Sequence, residues 1–459
     1  MPSKFGVVFA PRNSAMSRVT HALRSIALAM CLLVAILPGA GVAFAEDGRF
    51  TIAVIPDTQH YLNYKHQRAA GFPIDAAEMF FDQMDYIARN LESEGGEIAF
   101  VTHVGDIWQH ATGGIDAEHL ALGLKDDPES KILPYIAPDP RALTIEARAA
   151  ELGFRKLAGR VPFSVVPGNH DYDGFWFDSR FTNRRDPRDP TRQSSPFGMA
   201  HYGGLNNFRS VFGDGTALFA GRPWRVGSHN GGASSATLFE AGGYRFLHLG
   251  LEFAPADDVL QWAVEMIRRH PGLPTIVTIH DHLNIRGERQ PNPAVDMKAV
   301  HPEHNNAEDV WQELLSKHRQ IFLVLSGHQH GQSRRVDAGA EGGKVWQLLA
   351  DYQHRNQALR HVFGDGKLPM TPIGPADLGD GWMRLLNFDL TGPKARLQVR
   401  TYSTHFKAYA SDLPDYARWY KPADHPELSD AEFLAQEEFT IELDDFYQRF
   451  GKHAKPSGR

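Results

Sequence analysis

Five short apolar runs, each ending in residues able to hold a metal ion, constrain this chain more than any other feature. Residues 50–55 lead into Pro56-Asp57-Thr58-Gln59, and residues 98–104 into Gly105-Asp106. Residues 161–166 precede Pro167-Gly168-Asn169-His170-Asp171, and residues 275–279 precede His280-Asp281-His282. Residues 321–325 end in Ser326-Gly327-His328-Gln329-His330. Continuous apolar runs of this length fit strands buried on both faces. Between the first two, Ala77, Phe80, Phe81, Met84, Ile87, Ala88 and Leu91 recur at helical spacing. Segments 256–269 and 307–318 read the same way, the second opening after Asn305-Asn306 as capping residues. Alternating strands and helices imply an α/β fold. In such folds ligands gather where loops leave the strand ends, so five such ends describe one site.

The remaining segments are less regular. Runs at 345–350, 382–388 and 395–402 read as strands of a second, more antiparallel sheet. The stretch 174–240 is rich in Gly, Arg, Asn and aromatics without a clear period, and reads as an insertion beside the site. Within it Arg180, Arg184, Arg185, Arg188 and Arg192 read as a solvated loop partly balanced by Asp186 and Asp189; a rim attracting phosphate is the alternative. The tail from about residue 411 is polar and acidic, with a helix expected near 429–437.

At the N-terminus Arg18 and Arg24 precede an apolar run at 26–37, then Ala43-Phe44-Ala45. That order predicts a secretory signal peptide over 1–45, hence a secreted or periplasmic protein. The run is shorter than the roughly 20 residues that span a bilayer, so no transmembrane segment is expected after cleavage. An uncleaved anchor is the alternative. The expected division is a signal peptide (1–45), a catalytic domain (46–405, with the 174–240 insertion) and a C-terminal extension (406–459).

The single cysteine, Cys31, falls inside the signal segment. Disulfides and thiolate metal sites are thereby excluded from the mature chain. Any metal must use His, Asp, Glu or Asn. Losing the four basic residues of 1–45 leaves 44 basic against 55 acidic residues, a net charge of −11. That balance argues against a long nucleic-acid track. Nothing in the pattern specifies an oligomeric state.

Taken in order, the five motifs resemble those of the calcineurin-like metallophosphoesterase superfamily, which includes purple acid phosphatases. That family runs Asp-x-His, Gly-Asp, Gly-Asn-His-Glu/Asp, a lone His after a strand, then Gly-His-x-His. The resemblance covers about 50–405. It implies a four-layer α/β/β/α sandwich of two mixed sheets with two divalent or Fe/Mn/Zn-type metal ions at the strand ends. Carried over residue by residue, Asp57 and His330 belong to the first metal, and Asp106 bridges both. Asn169, His280 and His328 complete the second. A water between the metals becomes the nucleophile, and the cations offset charge on the phosphoryl oxygens. His170 matches the family's catalytic histidine, a proton donor to the leaving oxygen, with Asp171 its orienting partner in sequence.

Two positions depart from the family pattern. Gln59 stands where the family has His, and an amide oxygen is a weaker ligand than imidazole. Gln59 reads evenly as a metal ligand or a neighbour of one. Gln109 stands where the protein-phosphatase branch has an Asp that orients the catalytic His. His103 and His110 read as support or packing, and His282 as a neighbour of the site. Asp351-Tyr352-Gln353-His354 follows a strand and either lines the pocket, with Tyr352 facing substrate, or forms a turn. The resemblance implies an exported hydrolase of phosphomonoesters or phosphodiesters, on a small or macromolecular phosphorylated substrate. The alternatives are a protein serine/threonine phosphatase and an inactive metal-binding interaction module.

Overall fold

Alternation along the first strand sets the architecture. The structure, a computed structural model, describes residues 48–127, 137–181, 199–290, 295–364, 367–368, 370–371 and 374–452. Residues 1–45, where a signal peptide is expected, and Arg184, Arg185, Arg188 and Arg192 lie outside them. Strand β1 (Arg49–Ile55) sends Phe50, Ile52 and Val54 into one core and Ala53 and Ile55 into another, all buried. A strand covered on both faces is predominantly apolar, and its one buried polar residue, Thr51, gives its hydroxyl to Asn387.

Strands β2 (Ile98–His103) and β3 (Phe163–Val165) continue a sheet from β1 in parallel. A second sheet follows: β4 (Arg225–His229), β5 (Ser234–Ala241), β6 (Tyr244–Leu251), β7 (Thr275–Ile279), β8 (Ile321–Ser326), β9 (Gly331–Ala338) and β10 (Lys344–Asp351). The chain then returns to the first sheet with β11 (Trp382–Asp389), β12 (Ala395–Ser403), β13 (Ala408–Tyr409) and β14 (Phe439–Leu443). Among the described residues the first sheet runs β13-β12-β11-β1-β2-β3, with β14 also on β12; the second runs β9-β10-β8-β7-β6-β5-β4. Both sheets are mixed: β6, β7, β8 and β10 are parallel, while β11 is antiparallel to β1.

Three cores define four layers. Helices α1 (Ala77–Arg89), α2 (Ala147–Arg155) and α3 (Asn206–Phe212) cover the outer face of the first sheet. Helices α4 (Asp257–Arg269) and α5 (Ala307–Val310), the latter continued by a wider turn over Trp311–Leu315, cover the second. Between the sheets, Phe100 stacks on Phe239 with ring centroids 4.4 Å apart. Such a pair contributes about 0.5–1.5 kcal/mol beyond its buried area. Thr102 and Thr278 exchange a hydrogen bond of 3.1 Å across the same gap. The result is the α/β/β/α sandwich.

Three segments differ from their reading in the sequence. The strands at 382–389 and 395–403 join the first sheet, because β11 pairs along β1. Residues 225–241 are not inserted loop; β4 and β5 are antiparallel strands of the second sheet. Among the described residues a hairpin (Gly174–Asp178 with Met199–Gly203) and α3 are the regular elements of the earlier part. The C-terminal residues are part of the sandwich rather than an extension. Strand β14 pairs with β12, Phe446 enters the inter-sheet core, and Arg449 donates to the Ile321 carbonyl at 2.6 Å. Among the described residues no helix is long and apolar enough to cross a membrane.

Candidate metal centre

The parallel strands of both sheets end at one edge, and the motif residues lie in the turns beyond them. Asp57 follows β1, Asp106 follows β2, and Asn169 follows β3. His280 follows β7, and His328 follows β8. Each motif glycine stands where chain and side chain crowd together. A Cβ at Gly168 would collide with the Asp106 carboxylate and amide, and one at Gly327 with the Asp57 carboxylate. Asp106 and His328 themselves adopt positive φ (52° and 67°), a strained conformation for these residue types of the kind that concentrates at functional sites.

Asp106, His280 and His328 each place a ligand atom within 4.8 Å of the other two. Hydrogen bonds set the direction of each donor. His280 gives its Nδ1–H to the Val104 carbonyl at 2.9 Å, leaving Nε2 to face the site. That nitrogen lies 3.2 Å from Asp106 Oδ1, 3.1 Å from Asn169 Oδ1 and 3.1 Å from His328 Nδ1. Asn169 is held with its oxygen inward because its Nδ2 donates to the Tyr202 hydroxyl at 3.0 Å. Lone pairs of three residues thus converge on a fourth, all buried or nearly so. Such a set requires a cation among its members, either a metal ion or a proton on His280. Burial alone would lower the His280 pKa, but the Asp106 carboxylate outweighs it and raises it to about 10. Burial keeps His328 low, at about 4, so its ring is uncharged at neutral pH. The donor set of imidazole, carboxylate and amide oxygen fits Mn, Fe, Zn or Co.

The far side of Asp106 looks different. Gln59 Nε2 donates to Asp106 Oδ2 at 3.2 Å, while Gln59 Oε1 is buried with no hydrogen-bond partner. An orphaned buried oxygen beside a carboxylate suits a second cation. Asp57 accepts from the His328 amide at 3.1 and 3.3 Å. Burial first, then the field of Asp351, pushes the Asp57 carboxyl well above its ordinary value. His330 is exposed and stacks its ring on His354 at 3.5 Å. It stands outside the tight group of Asp106, His280 and His328.

His170 sits at the rim, its side chain 21% exposed, with Nε2 4.0 Å from Asp106 Oδ2. Its Nδ1–H donates to the Gln109 carbonyl at 2.7 Å. The orienting partner is therefore that backbone oxygen and not Asp171. Asp171 instead accepts from the amides of Ile107 (2.9 Å), Trp108 (3.3 Å) and Gly168 (2.8 Å), tying the Gly-Asp and Gly-Asn-His-Asp turns together.

His103 supports the site from behind. Its Nδ1 accepts the Gly105 amide and its Nε2 meets Thr58 Oγ1 at 2.9 Å, which binds the first two motif turns to each other. His110 is buried against Glu146 at 2.8 Å, and the same carboxylate accepts the amides of Gln109 and His110. His110 thereby fixes the loop that carries the Gln109 carbonyl. His282 bonds Gln347 and takes no part in the donor set. Tyr352 does not line the site: its hydroxyl donates to Glu437 at 2.9 Å, deep between Arg384 and Thr401. Arg180 is committed to Asp178 and to the Gly123 carbonyl, a structural pairing. Sequence reasoning missed Tyr202, which lies in the aperiodic stretch and has no motif to mark it. It also left open the role of Asp351, at the end of β10, whose charge reaches Asp57.

Comparison with known proteins decides the family. The family model described as calcineurin-like phosphoesterase matches residues 50–332. The chain belongs to the calcineurin-like phosphoesterase family. The match begins at β1 and runs through the last of the five motifs. A similar curated protein is the uncharacterized protein YvnB of Bacillus subtilis (strain 168), 23% identical over 253 residues. That alignment covers 54% of this chain and 15% of YvnB, so the chain spans a small part of that relative's length.

Proposed function

We propose that this chain is an exported hydrolase of phosphate esters, acting on a phosphomonoester or phosphodiester with two divalent or Fe/Mn/Zn-type metal ions. The observation that carries the reading is the convergence of His280 Nε2, Asp106 Oδ1, Asn169 Oδ1 and His328 Nδ1, with His170 at its rim. Those four donors would hold one ion. Asp57, the far oxygen of Asp106, the Gln59 amide oxygen and His330 would hold the other. When bound, the ions supply charge for the phosphoryl oxygens and acidify a water near neutral pH.

The chain's own proton chemistry rests on His170. With Nδ1–H fixed on the Gln109 carbonyl, Nε2 is the atom that carries a second proton toward the leaving oxygen. Its partial exposure admits substrate, whereas His280 is sealed. Export rests on the basic, apolar and Ala-Phe-Ala order of residues 18–45. The net acidic balance favours a compact phosphorylated substrate over a nucleic-acid track.

The test uses the chain from Glu46 onward, supplied in turn with Mn²⁺, Zn²⁺, Co²⁺, Fe²⁺ and Mg²⁺. It should hydrolyse p-nitrophenyl phosphate or bis(p-nitrophenyl) phosphate, and the ratio of the two rates assigns monoester or diester. Absence of turnover with every ion overturns the reading.

A further inference from the structure

Two connections that leave the ligand ends of their strands meet at a second group of donors. One follows β2 and contains the short helix Ala117–Ala121; the other follows β7 and contains His301-Pro302-Glu303-His304. One ligand atom from each of His301, Glu303 and His304 lies within 4.8 Å of the other two.

Hydrogen bonds decide which nitrogen of each ring keeps its lone pair. His304 donates Nδ1–H to the Ala254 carbonyl at 2.6 Å, which leaves the lone pair on Nε2. His119 donates Nδ1–H to Asp116, with contacts of 2.9 and 2.8 Å, so its Nε2 is an acceptor. His301 Nε2 lies 2.8 Å from that nitrogen and must be the donor. The lone pair of His301 is then on Nδ1, which faces Glu303 Oε1 at 3.3 Å. An imidazole lone pair and a carboxylate at that distance repel each other unless a metal ion or a proton lies between them. Ligating histidines characteristically give their other N–H to a carboxylate, a carbonyl or another acceptor. Both His301 and His304 do so here.

The loop is also held in place before any ion arrives. The Glu303 carbonyl accepts the Asp257 amide at 3.0 Å, and the Asn305 amide donates to the Pro255 carbonyl at 3.0 Å. His304 forms an isolated antiparallel bridge with Ala256. The His301 side chain is 15% exposed and that of Glu303 54%, so an ion can enter from solvent.

We propose that His301 Nδ1, a Glu303 oxygen and His304 Nε2 form a separate zinc-type site, with water in the fourth position and the Asp116–His119 pair orienting His301. Two histidines and one glutamate are a known donor set for Zn²⁺ with an open position. All three ligands come from the connection after β7, and the His119–His301 hydrogen bond joins the site to the connection after β2. The inference does not depend on the phosphoesterase reading.

The test uses tag-free chain carrying Asp106→Asn, which impairs the main centre, dialysed against Zn²⁺ and analysed for bound metal. One equivalent should remain and should disappear in the His301→Ala/His304→Ala double variant. Zn²⁺ should raise the thermal midpoint of the parent and leave that of the double variant unmoved. Glu303→Gln alters an exposed side chain and should weaken zinc binding at least about tenfold. Equal zinc content and affinity in parent and variants overturns the proposal. A fault in the main-site assignment shows separately, as an Asp106→Asn chain that holds as much metal as the native one.

Discussion

Asn169 turns its amide oxygen toward His280 while Tyr202 holds its nitrogen, and the next residue, His170, points Nε2 at Asp106 from the rim. Neighbours in the chain thus take separate roles, and substitution should separate them. Asn169→Ala removes one of four converging donors. Hydrolysis should fall at least about a hundredfold and bound metal should drop by about one equivalent; a full rate would show that the position is not a ligand. His170→Asn keeps the ring's size class but removes the titratable nitrogen. It should cut kcat by about 10²–10⁴ with metal content unchanged. Gln59→His replaces an orphaned amide oxygen with imidazole. It should tighten one metal position about tenfold or more in a competition titration against a chelator, and unchanged affinity would mean that Gln59 only steadies Asp106. At this scale the sequence was readable where spacing carries chemistry. Asp106, Asn169, His280 and His328 come together because each follows a strand. The partner of His170 was not readable, because a backbone carbonyl has no residue type to betray it.

The five runs that end in motifs are legible as strands because strands covered on both faces are predominantly apolar, with only a few hydrogen-bonded polar residues such as Thr102 and Thr278. The same logic fails for β4 and β5. Edge position and short length let Arg225, Ser228 and His229 into β4, and the pattern loses its period. Strand β14 was hidden for a similar reason: it alternates buried and exposed residues within an acidic tail. Sheet membership was not legible either, since β11 returns to β1 over more than three hundred residues of chain and periodicity carries no information about partners. What joins the elements at the site is Asp171. Its carboxylate takes three amides from two turns, and removing it leaves those amides buried and unpaired. Each such loss costs about 1–3 kcal/mol. Asp171→Ala should lower the denaturation midpoint and metal affinity together, whereas an Asp171 that merely oriented His170 would affect kcat alone.

Across the whole molecule, the C-terminal residues close the sandwich around a buried ionic cluster. Glu437 bonds Arg355 at 2.6 Å and Arg384 at 3.2 Å, and all three are almost fully buried. Tyr352 and Thr401 donate to the same carboxylate, both at 2.9 Å. Helix α6 (Tyr416–Asp424) contributes Asp424, and helix α7 (Asp430–Glu437) ends in Glu437 itself, so the cluster fastens the tail to β10 and β11. Burial alone would raise the Glu437 pKa, but Arg355 and Arg384 outweigh it and hold it at about 2, below the ordinary 4.5. The sign follows from that order. The carboxylate stabilises the fold fully above about pH 4.5, and that contribution drains away as the pH falls toward 2. Glu437→Gln removes the carboxylate that Arg355 and Arg384 share and leaves Arg355 with Asp424 alone, a change that costs about 3–5 kcal/mol at neutral pH. Chemical denaturation of both chains from pH 7 to pH 2.5 checks this. The gap between native and variant should be widest at pH 7 and should close on acidification. A gap that stays constant would mean that Glu437 acts through shape and hydrogen bonding, with its charge irrelevant to how the tail is held.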